Sequence, residues 1–200
     1  MARSANFTKD DFIKCAGRLI AEGGPDAATT SAILQGVGAP VGSFYHRFAS
    51  RDSLMGELWL GLAEDYQREF FELLRIGDVV SAALFTPRWV RGHPLEARIL
   101  LMYRREDFAS AKWPPEMSKR AETLGAELAA GLQELAEKID GGSPADALVR
   151  VRFALLDVPM AAIRRYLVKN EPIPSLVDDL VRECCAALIS PGEEPVSGSR

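Results

Sequence analysis

The residues best suited to specific chemistry lie close together between Gln35 and Leu54, in the stretch QGVGAPVGSFYHRFASRDSL. Glycines stand at positions 36, 38 and 42, and hydroxyl, imidazole and guanidinium groups follow them. A glycine-rich segment of this kind either wraps a nucleotide phosphate or forms the bend of a helix-turn-helix. The first interpretation predicts a nucleotide-binding enzyme, and the second predicts a protein that contacts DNA.

The spacing of the glycines argues against a nucleotide-binding loop. They are arranged G-x-G-x-x-x-G, so Val41 occupies the position where the dinucleotide motif requires glycine. No lysine follows, as it would in a P-loop. Both motifs also need a preceding β-strand, whereas residues 29–37 have the apolar spacing of a helix. The pattern therefore disfavours the nucleotide-binding enzyme.

A helix-turn-helix gives each residue type in the stretch a physical role. Gly38 supplies a left-handed bend between two short helices. Phe44 and Phe48 lie four residues apart, so both can anchor the second of these helices to the core. Gly42 has no side chain and permits close approach of a neighbouring helix or a phosphate. The same helix carries polar side chains at Ser43, Tyr45, His46 and Arg47. A short helix of this type suits the major groove of DNA.

The surrounding sequence predicts helices that would hold this stretch in place. Thr8 caps a first helix that ends at Gly23 and Gly24. Thr29 or Thr30 opens a second helix, and Pro40 suits the first turn of a third. Later helices are predicted from Ser50 through Leu73, Asp78 through Trp89, Pro94 through Tyr103, Pro115 to about Ile139, Ser143 to about Lys169, and Ser175 to Ile189. No stretch alternates like a strand, so an all-α fold is predicted.

Composition narrows the possible environments and activities. The net charge is −4, but residues 1–55 carry six Lys/Arg against five acids, a net of +1, which leaves −5 on the remainder. This asymmetry permits a DNA-binding end. The three cysteines, at positions 15, 184 and 185, have no disulfide or metal-site spacing and indicate a reducing, cytoplasmic setting. We expect no membrane span, metal, cofactor or enzymatic activity, because no apolar run or catalytic motif is present.

From Phe12 to Leu54 the sequence resembles the TetR-like (tetracycline-repressor-like) transcriptional regulators. The block G-S-F-Y-H-R-F-x-S-R-D-x-L, from Gly42 onward, is similar to the family pattern G-x-x-Y-x-x-F-x-S-K-x-x-L. The resemblance implies a helix-turn-helix DNA-binding domain at 1–52 and a helical effector-binding and dimerisation domain at 53–190, joined by a long helix. Residues 191–200 are expected to be a disordered tail.

The resemblance also implies which residues contact DNA. Thr30 would meet a phosphate, and Pro40, Val41 and Ser43 would face base edges. Phosphate contacts would come from Tyr45, His46, Arg47 and Arg51, with Gly42 allowing close approach. The chain departs from the family pattern at Pro40-Val41, where Ser-Lys is frequent, so an N-cap hydroxyl and a cation are missing. Fewer cations predict a shallower dependence of DNA affinity on salt.

The second half of the chain offers candidates for an effector site. Aromatic, methionine and acidic side chains that could line a cavity, or equally fill a core, are Trp59, Tyr66, Phe70, Trp89, Tyr103, Trp113, Met117, Asp157 and Met160. Asp157 stands in the apolar run FALLDVPMAAI, so we expect it to be buried and paired, with Arg164, Arg98 or Arg105 as candidate partners. Pro159 should kink or loosen the same helix.

The last two predicted helices are the natural dimer interface. One carries an apolar stripe of Val151, Leu155, Val158 and Ala162, and the other a stripe of Leu176, Leu180, Cys184 and Leu188. Together with the resemblance, this predicts a homodimeric regulator that represses by binding a palindromic double-stranded DNA operator and is released by a small-molecule effector. The alternative is a helical ligand-binding dimer that has lost sequence-specific DNA binding, a reading favoured by the missing lysine at Val41.

Overall fold

A computed structural model describes residues 7–108, 113–139 and 143–189, and these are helical with no β-strand. The predicted tail at 191–200 lies outside the described residues. The helices in chain order are α1 (Lys9–Gly23), α2 (Thr30–Val37), α3 (Val41–Tyr45), α4 (Arg51–Ile76), α5 (Val79–Gly92), α6 (Pro94–Met102), α7 (Arg105–Phe108), α8 (Pro115–Lys138), α9 (Pro144–Arg152), α10 (Val158–Lys169) and α11 (Leu176–Ile189). The all-α prediction is confirmed, and α7 was not foreseen.

Side-chain caps begin several helices where the sequence predicted them. Thr8 accepts a hydrogen bond from the Asp11 backbone N–H, while the Asp11 carboxylate accepts one from the Thr8 N–H, which completes a capping box for α1. Ser50 Oγ accepts from the Ser53 N–H at the start of α4. Ser143 does the same for the Asp146 N–H at the start of α9. These polar residues therefore set the helix boundaries by satisfying backbone donors that have no partner within the helix.

The helices divide into two compact units. The N-terminal unit comprises Met1–Tyr66 and His93–Leu124, and the C-terminal unit comprises Gln67–Gly92 and Gly125–Arg200. Both α4 and α8 have residues in each unit. These units are defined by packing, and the functional boundary at 52/53 stays a prediction.

The core of the N-terminal unit is built from α1 to α4 together with α6, α7 and α8. Its fully buried side chains include Phe12 and Ile20 of α1, Phe44 of α3 and Ile99 of α6. Gly56 of α4 permits close packing, because a Cβ there would lie 2.6 Å from Met117 Cε and 2.7 Å from Trp113 Cε2. A side chain at position 56 would therefore require the side chains of Trp113 and Met117 to move.

An ion-pair cluster joins α8 to α4 within the same unit. Arg120 donates from Nε and Nη2 to the two carboxylate oxygens of Glu64, at 2.9 Å each, and from Nη1 to Glu57 at 3.0 Å. These hydrogen bonds to Glu64 and then Glu57 raise the pKa of the Arg120 guanidinium further above its ordinary value. The bidentate geometry fixes the register of the two helices as well as their contact.

In the C-terminal unit, α5 packs against α10 and α11. Arg91 of α5 donates to both carboxylate oxygens of Asp178, at 2.7 and 3.1 Å, and to the Ile173 and Pro174 carbonyls. The guanidinium thus holds the segment that precedes α11 as well as its first turn. Cys185 is buried, and burial raises the pKa of its thiol.

The helix predicted from Ser143 to Lys169 is interrupted by a π-helical turn at Phe153–Asp157, between α9 and α10. The Val158 N–H there bonds to the Phe153 carbonyl, five residues back. Pro159 has no N–H to donate, so the wider turn just before it confirms the predicted loosening. The turn inserts one residue, and after it Pro159 and Ile163 are buried, while Val158 and Ala162, which were predicted to lie in the dimer stripe, are half-buried.

Among the described residues, no helix is both long and apolar enough to cross a bilayer. The same residues contain no grouping of three or more His, Cys, Asp or Glu side chains that could hold a metal ion.

Candidate nucleic-acid interface

The bend between α2 and α3 is made by the residues expected to make it. Thr29 caps α2 by accepting from the Ala32 N–H at 3.1 Å. Gly38 adopts φ 72° and ψ 27°, and its N–H donates to the Leu34 and Gln35 carbonyls. Glycine reaches this left-handed conformation without the cost that other residues meet. Pro40 is extended and stands one residue before α3, so it precedes the helix instead of forming its first turn.

Helix α3 is short and is anchored by aromatic rings. Phe44 is fully buried, and its ring meets Phe12 of α1 edge-on at a centroid distance of 5.8 Å. Phe48 is buried beside it, at 5.6 Å from Phe44 and 6.2 Å from Phe12. The helix ends at Tyr45, so His46 and Arg47 lie in the following turn and not within the helix as predicted. Aromatic packing therefore positions a helix too short to be stable alone.

Once Phe44 and Phe48 point inward, most of the predicted DNA-contacting side chains point outward. Val41 is 58% exposed and Tyr45 is 56% exposed, although both are large and largely apolar. The other exposed members of the predicted set are Pro40, Gly42 and His46. Ser43 and Thr30 are half-buried, and Thr30 is the first residue of α2. The structure thus presents one compact surface of α3 and the turn that follows it, hereafter the α3 surface.

Arg47 lies partly against its own unit. Its Nη1 donates to the Ser43 carbonyl at 2.8 Å, and its guanidinium carbon stands 6.0 Å from the centre of the Phe12 ring. This geometry fits a cation–π contact that orients the guanidinium. Replacing Arg47 would therefore remove packing as well as charge.

Arg51, the other predicted phosphate contact, faces inward to an unexpected extent. Its Nε donates to the Ala28 carbonyl at 2.7 Å, and its Nη2 donates to the Pro25 carbonyl at 2.6 Å. Its Nη1 is 3.9 Å from Asp52. All three nitrogens of the guanidinium thus face oxygens of the protein itself.

Further cations lie on α1 in the same unit. Lys14 pairs with Asp10 at 2.8 Å, and this hydrogen bond raises the pKa of the lysine. The Lys9 ammonium stands 5.7 Å from the centre of the Phe48 ring. A shallow depression beside this helix is lined by Phe7, Asp11, Lys14, Arg18, Gly36 and Val37.

The predicted effector-site residues are divided between the two units. Trp59, Tyr66, Tyr103, Trp113 and Met117 belong to the N-terminal unit, and Phe70, Trp89, Asp157 and Met160 belong to the C-terminal unit. Trp113 and Met117 are buried around Gly56, and Tyr103 packs against Gly24. Within the described chain, the buried Nε1 atoms of Trp59 and Trp113 have no hydrogen-bond partner. Such orphan donors are uncommon in folded proteins.

In the C-terminal unit, Phe70 and Trp89 are buried in the core, and Phe70 lies 5.7 Å from Phe85. The expectation that Asp157 is buried and paired is wrong. Asp157 is exposed at the end of the π-helical turn, so its carboxylate is solvated and needs no partner. Arg98, one of the proposed partners, instead donates from Nε to the Ala21 carbonyl in the N-terminal unit.

The predicted dimer stripe is exposed on α11 but not on α9. Leu176 is 61% exposed, Leu180 is 50% exposed, and Cys184 is exposed as well. Val151 and Leu155, by contrast, are fully buried in their own unit and leave no stripe for a partner. The exposed apolar residues between Pro144 and Lys169 are instead Val149, Phe153 and Val168. The exposed residues Leu176, Leu180 and Cys184 of α11 are hereafter the α11 surface.

Two arginines that organise the fold were not singled out from the sequence. Arg120 holds α4 through Glu57 and Glu64, and Arg91 holds the start of α11 through Asp178. Glu57 and Glu64 are seven residues apart and so share one face of a helix. Two carboxylates on one face indicate that a cationic side chain packs there. Nothing along the chain indicates that the partner is residue 120.

Residues 12–58 match the family model described as bacterial regulatory proteins, tetR family. No curated protein is similar enough to count as a relative. A transcriptional regulator from Rhodococcus sp. Rha1 shares the fold with a TM-score of 0.66 at 15% identity, covering 91% of this chain and 96% of that one. The multidrug binding protein EbrR, solved with imidazole, gives 0.59 at 20% identity, with coverage of 94% and 98%.

The regulator FadR from Bacillus subtilis, solved with stearoyl-CoA, gives a TM-score of 0.65 at 12% identity, covering 93% of this chain and all of that one. These identities are low, so the solved structures support the all-α fold, while the family match rests on the helix-turn-helix region. Residues 12–58 are therefore similar to the N-terminal domain of the tetR family of bacterial regulatory proteins, and the chain shares its all-α fold with the solved structures.

Proposed function

We propose that this transcriptional regulator is a repressor that binds a palindromic operator as a homodimer and is released by a small molecule. The α3 surface carries the proposal. Its side chains at Val41, Tyr45 and His46 are exposed, whereas Phe44 and Phe48 beside them are buried. Exposed apolar and aromatic groups on a rigidly anchored helix are suited to contacts in the major groove.

Side-chain chemistry indicates which residues of the α3 surface contact bases and which contact phosphates. Val41 can make only an apolar contact, for example with a thymine methyl. The hydroxyl of Tyr45 and the imidazole of His46 can donate to phosphate oxygens. Thr30, at the N-terminus of α2, would add a hydroxyl near backbone N–H groups that also favour phosphate. Base readout therefore rests on few residues, and phosphate contacts supply most of the affinity.

The α11 surface supports the dimer. Leu176 and Leu180 leave half or more of their surface in solvent within one chain, and Phe153 is also exposed. Grouped apolar exposure of this kind marks a protein interface. A two-fold dimer would present two α3 helices to major-groove faces about 34–36 Å apart, which is why the operator should be palindromic.

The effector proposal rests on two supports. EbrR and FadR, which share the fold, were solved with imidazole and with stearoyl-CoA respectively. In this chain the unpartnered Nε1 donors of Trp59 and Trp113 offer two sites for an acceptor oxygen. An effector that favours one position of α4 would change the separation of the two α3 helices and so release DNA.

Binding to DNA upstream of the protein's own gene tests the proposal directly. We expect salt-dependent binding by the wild-type protein, and a weaker complex for Tyr45→Phe, which removes only a hydroxyl. Tyr166→Phe deletes the same group from α10 and should bind as wild type does. Each phosphate contact that is lost should reduce the slope of log K against log salt by about 0.9.

A genome-wide selection for bound fragments would extend the test to distant operators. If neither the flanking DNA nor any selected fragment binds more tightly than random DNA, the alternative of a helical ligand-binding dimer without sequence-specific DNA binding takes its place. Tryptophan fluorescence titrations against acyl-CoA thioesters and aromatic cations would then still detect ligands, because Trp113 is buried in the core and Trp59 packs against it.

A further inference from the structure

We infer that Arg51 is a positioning residue, which ties the start of α4 to the start of α2, and not a phosphate contact. The inference rests on the proposed DNA-binding function and reverses the role that the family resemblance implies for this position. Arg51 is the first residue of α4, and its guanidinium reaches back across 23 and 26 residues to the Ala28 and Pro25 carbonyls.

The two hydrogen bonds are short and come from the Nε and Nη2 donors, which share one edge of the planar guanidinium. Nε lies 2.7 Å from the Ala28 oxygen, and Nη2 lies 2.6 Å from the Pro25 oxygen. The side chain is about one-third exposed, at 32%, so solvent competes only partly for these donors. A planar fork with two donors fixed side by side holds both acceptors at once, which a lysine ammonium on its flexible stem does not reproduce.

The acceptors lie just before α2, which carries Thr30 at its start. Pro25 begins the single 3₁₀ turn Pro25–Ala27, and the Pro25 carbonyl also accepts from the Ala28 N–H at 3.2 Å. Ala28 is fully buried, and the next residue, Thr29, is the N-cap of α2. Arg51 thus fixes the connector immediately before Thr30, the proposed phosphate contact.

This arrangement gives α4 a direct connection to the α2 N-terminus. A shift of the first turn of α4 must either carry Ala28 with it or break two charge-assisted hydrogen bonds. In the same unit, α4 is held further along by Arg120 through Glu57 and Glu64. Arg120 and Arg51 therefore fix α4 at two points, one to α8 and one to the DNA-binding helices.

Substituting Arg51→Lys separates positioning from phosphate contact, because the charge is kept and the fork is lost. We expect Arg51→Lys and Arg51→Ala to weaken operator binding alike, by at least tenfold, with the salt slope of the wild-type protein unchanged. A phosphate contact predicts the opposite: Arg51→Lys binds within about threefold of wild type, and Arg51→Ala lowers the slope by about 0.9. The second pattern would overturn the inference.

Hydrogen exchange provides a readout that needs no DNA. In Arg51→Lys, the amides of Ser31 to Ile33 in α2 should exchange at least tenfold faster than in wild type, while those of α6 stay unchanged. Equal exchange in both proteins would contradict the inference even if no operator is found. Absence of operator binding by the wild-type protein would contradict only the proposed function.

A measurement on the wild-type protein covers the case in which the variants do not fold. The Nε–H signal of Arg51 should be protected from exchange in the free protein and should keep its chemical shift when operator DNA is added. An unprotected signal, or one that moves on DNA binding, would assign Arg51 to phosphate contact and overturn the inference.

Discussion

The α3 surface and the α11 surface both expose apolar side chains, but they are built differently. On α3, Val41 and Tyr45 stand on a five-residue helix, and His46 and Arg47 follow it. On α11, Leu176 and Leu180 belong to a 14-residue helix, where exposed Cys184 continues the stripe. The mixed surface suits a hydrated, charged partner such as DNA, whereas the apolar stripe suits a second protein surface.

Their anchoring differs as well. The α3 helix depends on aromatic packing of Phe44 against Phe12 and Phe48. The α11 helix is held by buried Val177, Val181 and Cys185, together with the Arg91–Asp178 ion pair at its start. A short helix needs large buried rings because it forms few backbone hydrogen bonds of its own. The two surfaces should therefore respond differently to substitution.

The largest effect is expected at the anchor of α3. Phe44→Ala should lower the free energy of unfolding by about 3–5 kcal/mol, because it leaves a cavity among Phe12, Phe48 and the rest of the core. Tyr45→Ala, one residue away and exposed, should change it by about 0.5 kcal/mol or less. Chemical denaturation measures both, and similar losses in the two variants would contradict the inward–outward division of α3.

The next effect concerns the α11 surface. Leu180→Asp should weaken dimerisation at least tenfold, since it places a charge within an apolar interface, while the monomer stays folded because Leu180 is exposed. Sedimentation over a range of protein concentrations measures the dissociation constant. Ile76→Asp is a matched control on an exposed apolar residue of α4. If Leu180→Asp remains as dimeric as Ile76→Asp, the interface lies elsewhere.

A smaller, paired effect is expected at the helix caps. Thr29→Ala removes the side-chain cap of α2, and Ser143→Ala removes that of α9. Each should cost about 1 kcal/mol of stability, because a backbone N–H loses its partner. Only Thr29→Ala should also weaken operator binding, since α2 leads to the α3 surface. Equal DNA affinity for both variants would show that the cap of α2 does not contribute to DNA binding.

The smallest effect concerns pH. Hydrogen bonds from the Thr8 backbone and hydroxyl lower the pKa of Asp11 below 3.8, and those from Ser81 lower the pKa of Asp78 likewise. A lowered pKa in the folded state adds stability above about pH 3.8 that is lost as the pH falls through the folded value. Asp11→Asn and Asp78→Asn should therefore destabilise the protein slightly at pH 7 and less at pH 3. A difference that is constant with pH would contradict this.

Helix caps, the bend at Gly38 and the buried face of α3 were predicted from residues that are close together in the sequence. Thr8, Thr29, Gly38 and Ser50 act where their side-chain and backbone chemistry indicated. The inward placement of Phe44 and Phe48 also follows from their spacing of four residues. Caps, bends and one-sided helices depend on neighbours within about four residues, so one sequence is enough to predict them.

Predictions failed where one residue changed the register of a helix. The stripe assigned to a dimer partner begins with Val151 and Leu155, which are buried within the chain, and after the π-helical turn at Phe153–Asp157 the buried residues are Pro159 and Ile163. Asp157 lies exposed at the same turn, although its apolar neighbours indicated burial. Periodicity assumes 3.6 residues per turn throughout, and Pro159 alone did not say how the preceding turn would adjust.

The sequence by itself determined the helical class, the helix-turn-helix and the residues that cap its helices, because these depend on local backbone chemistry. Only the tertiary structure decided what the long side chains of Arg51, Arg91 and Arg120 touch. An arginine reaches acceptors that are 20 to 90 positions away along the chain but adjacent in space. Whether such a cation is left for DNA or is used to hold the fold is therefore settled by packing, not by its place in a motif.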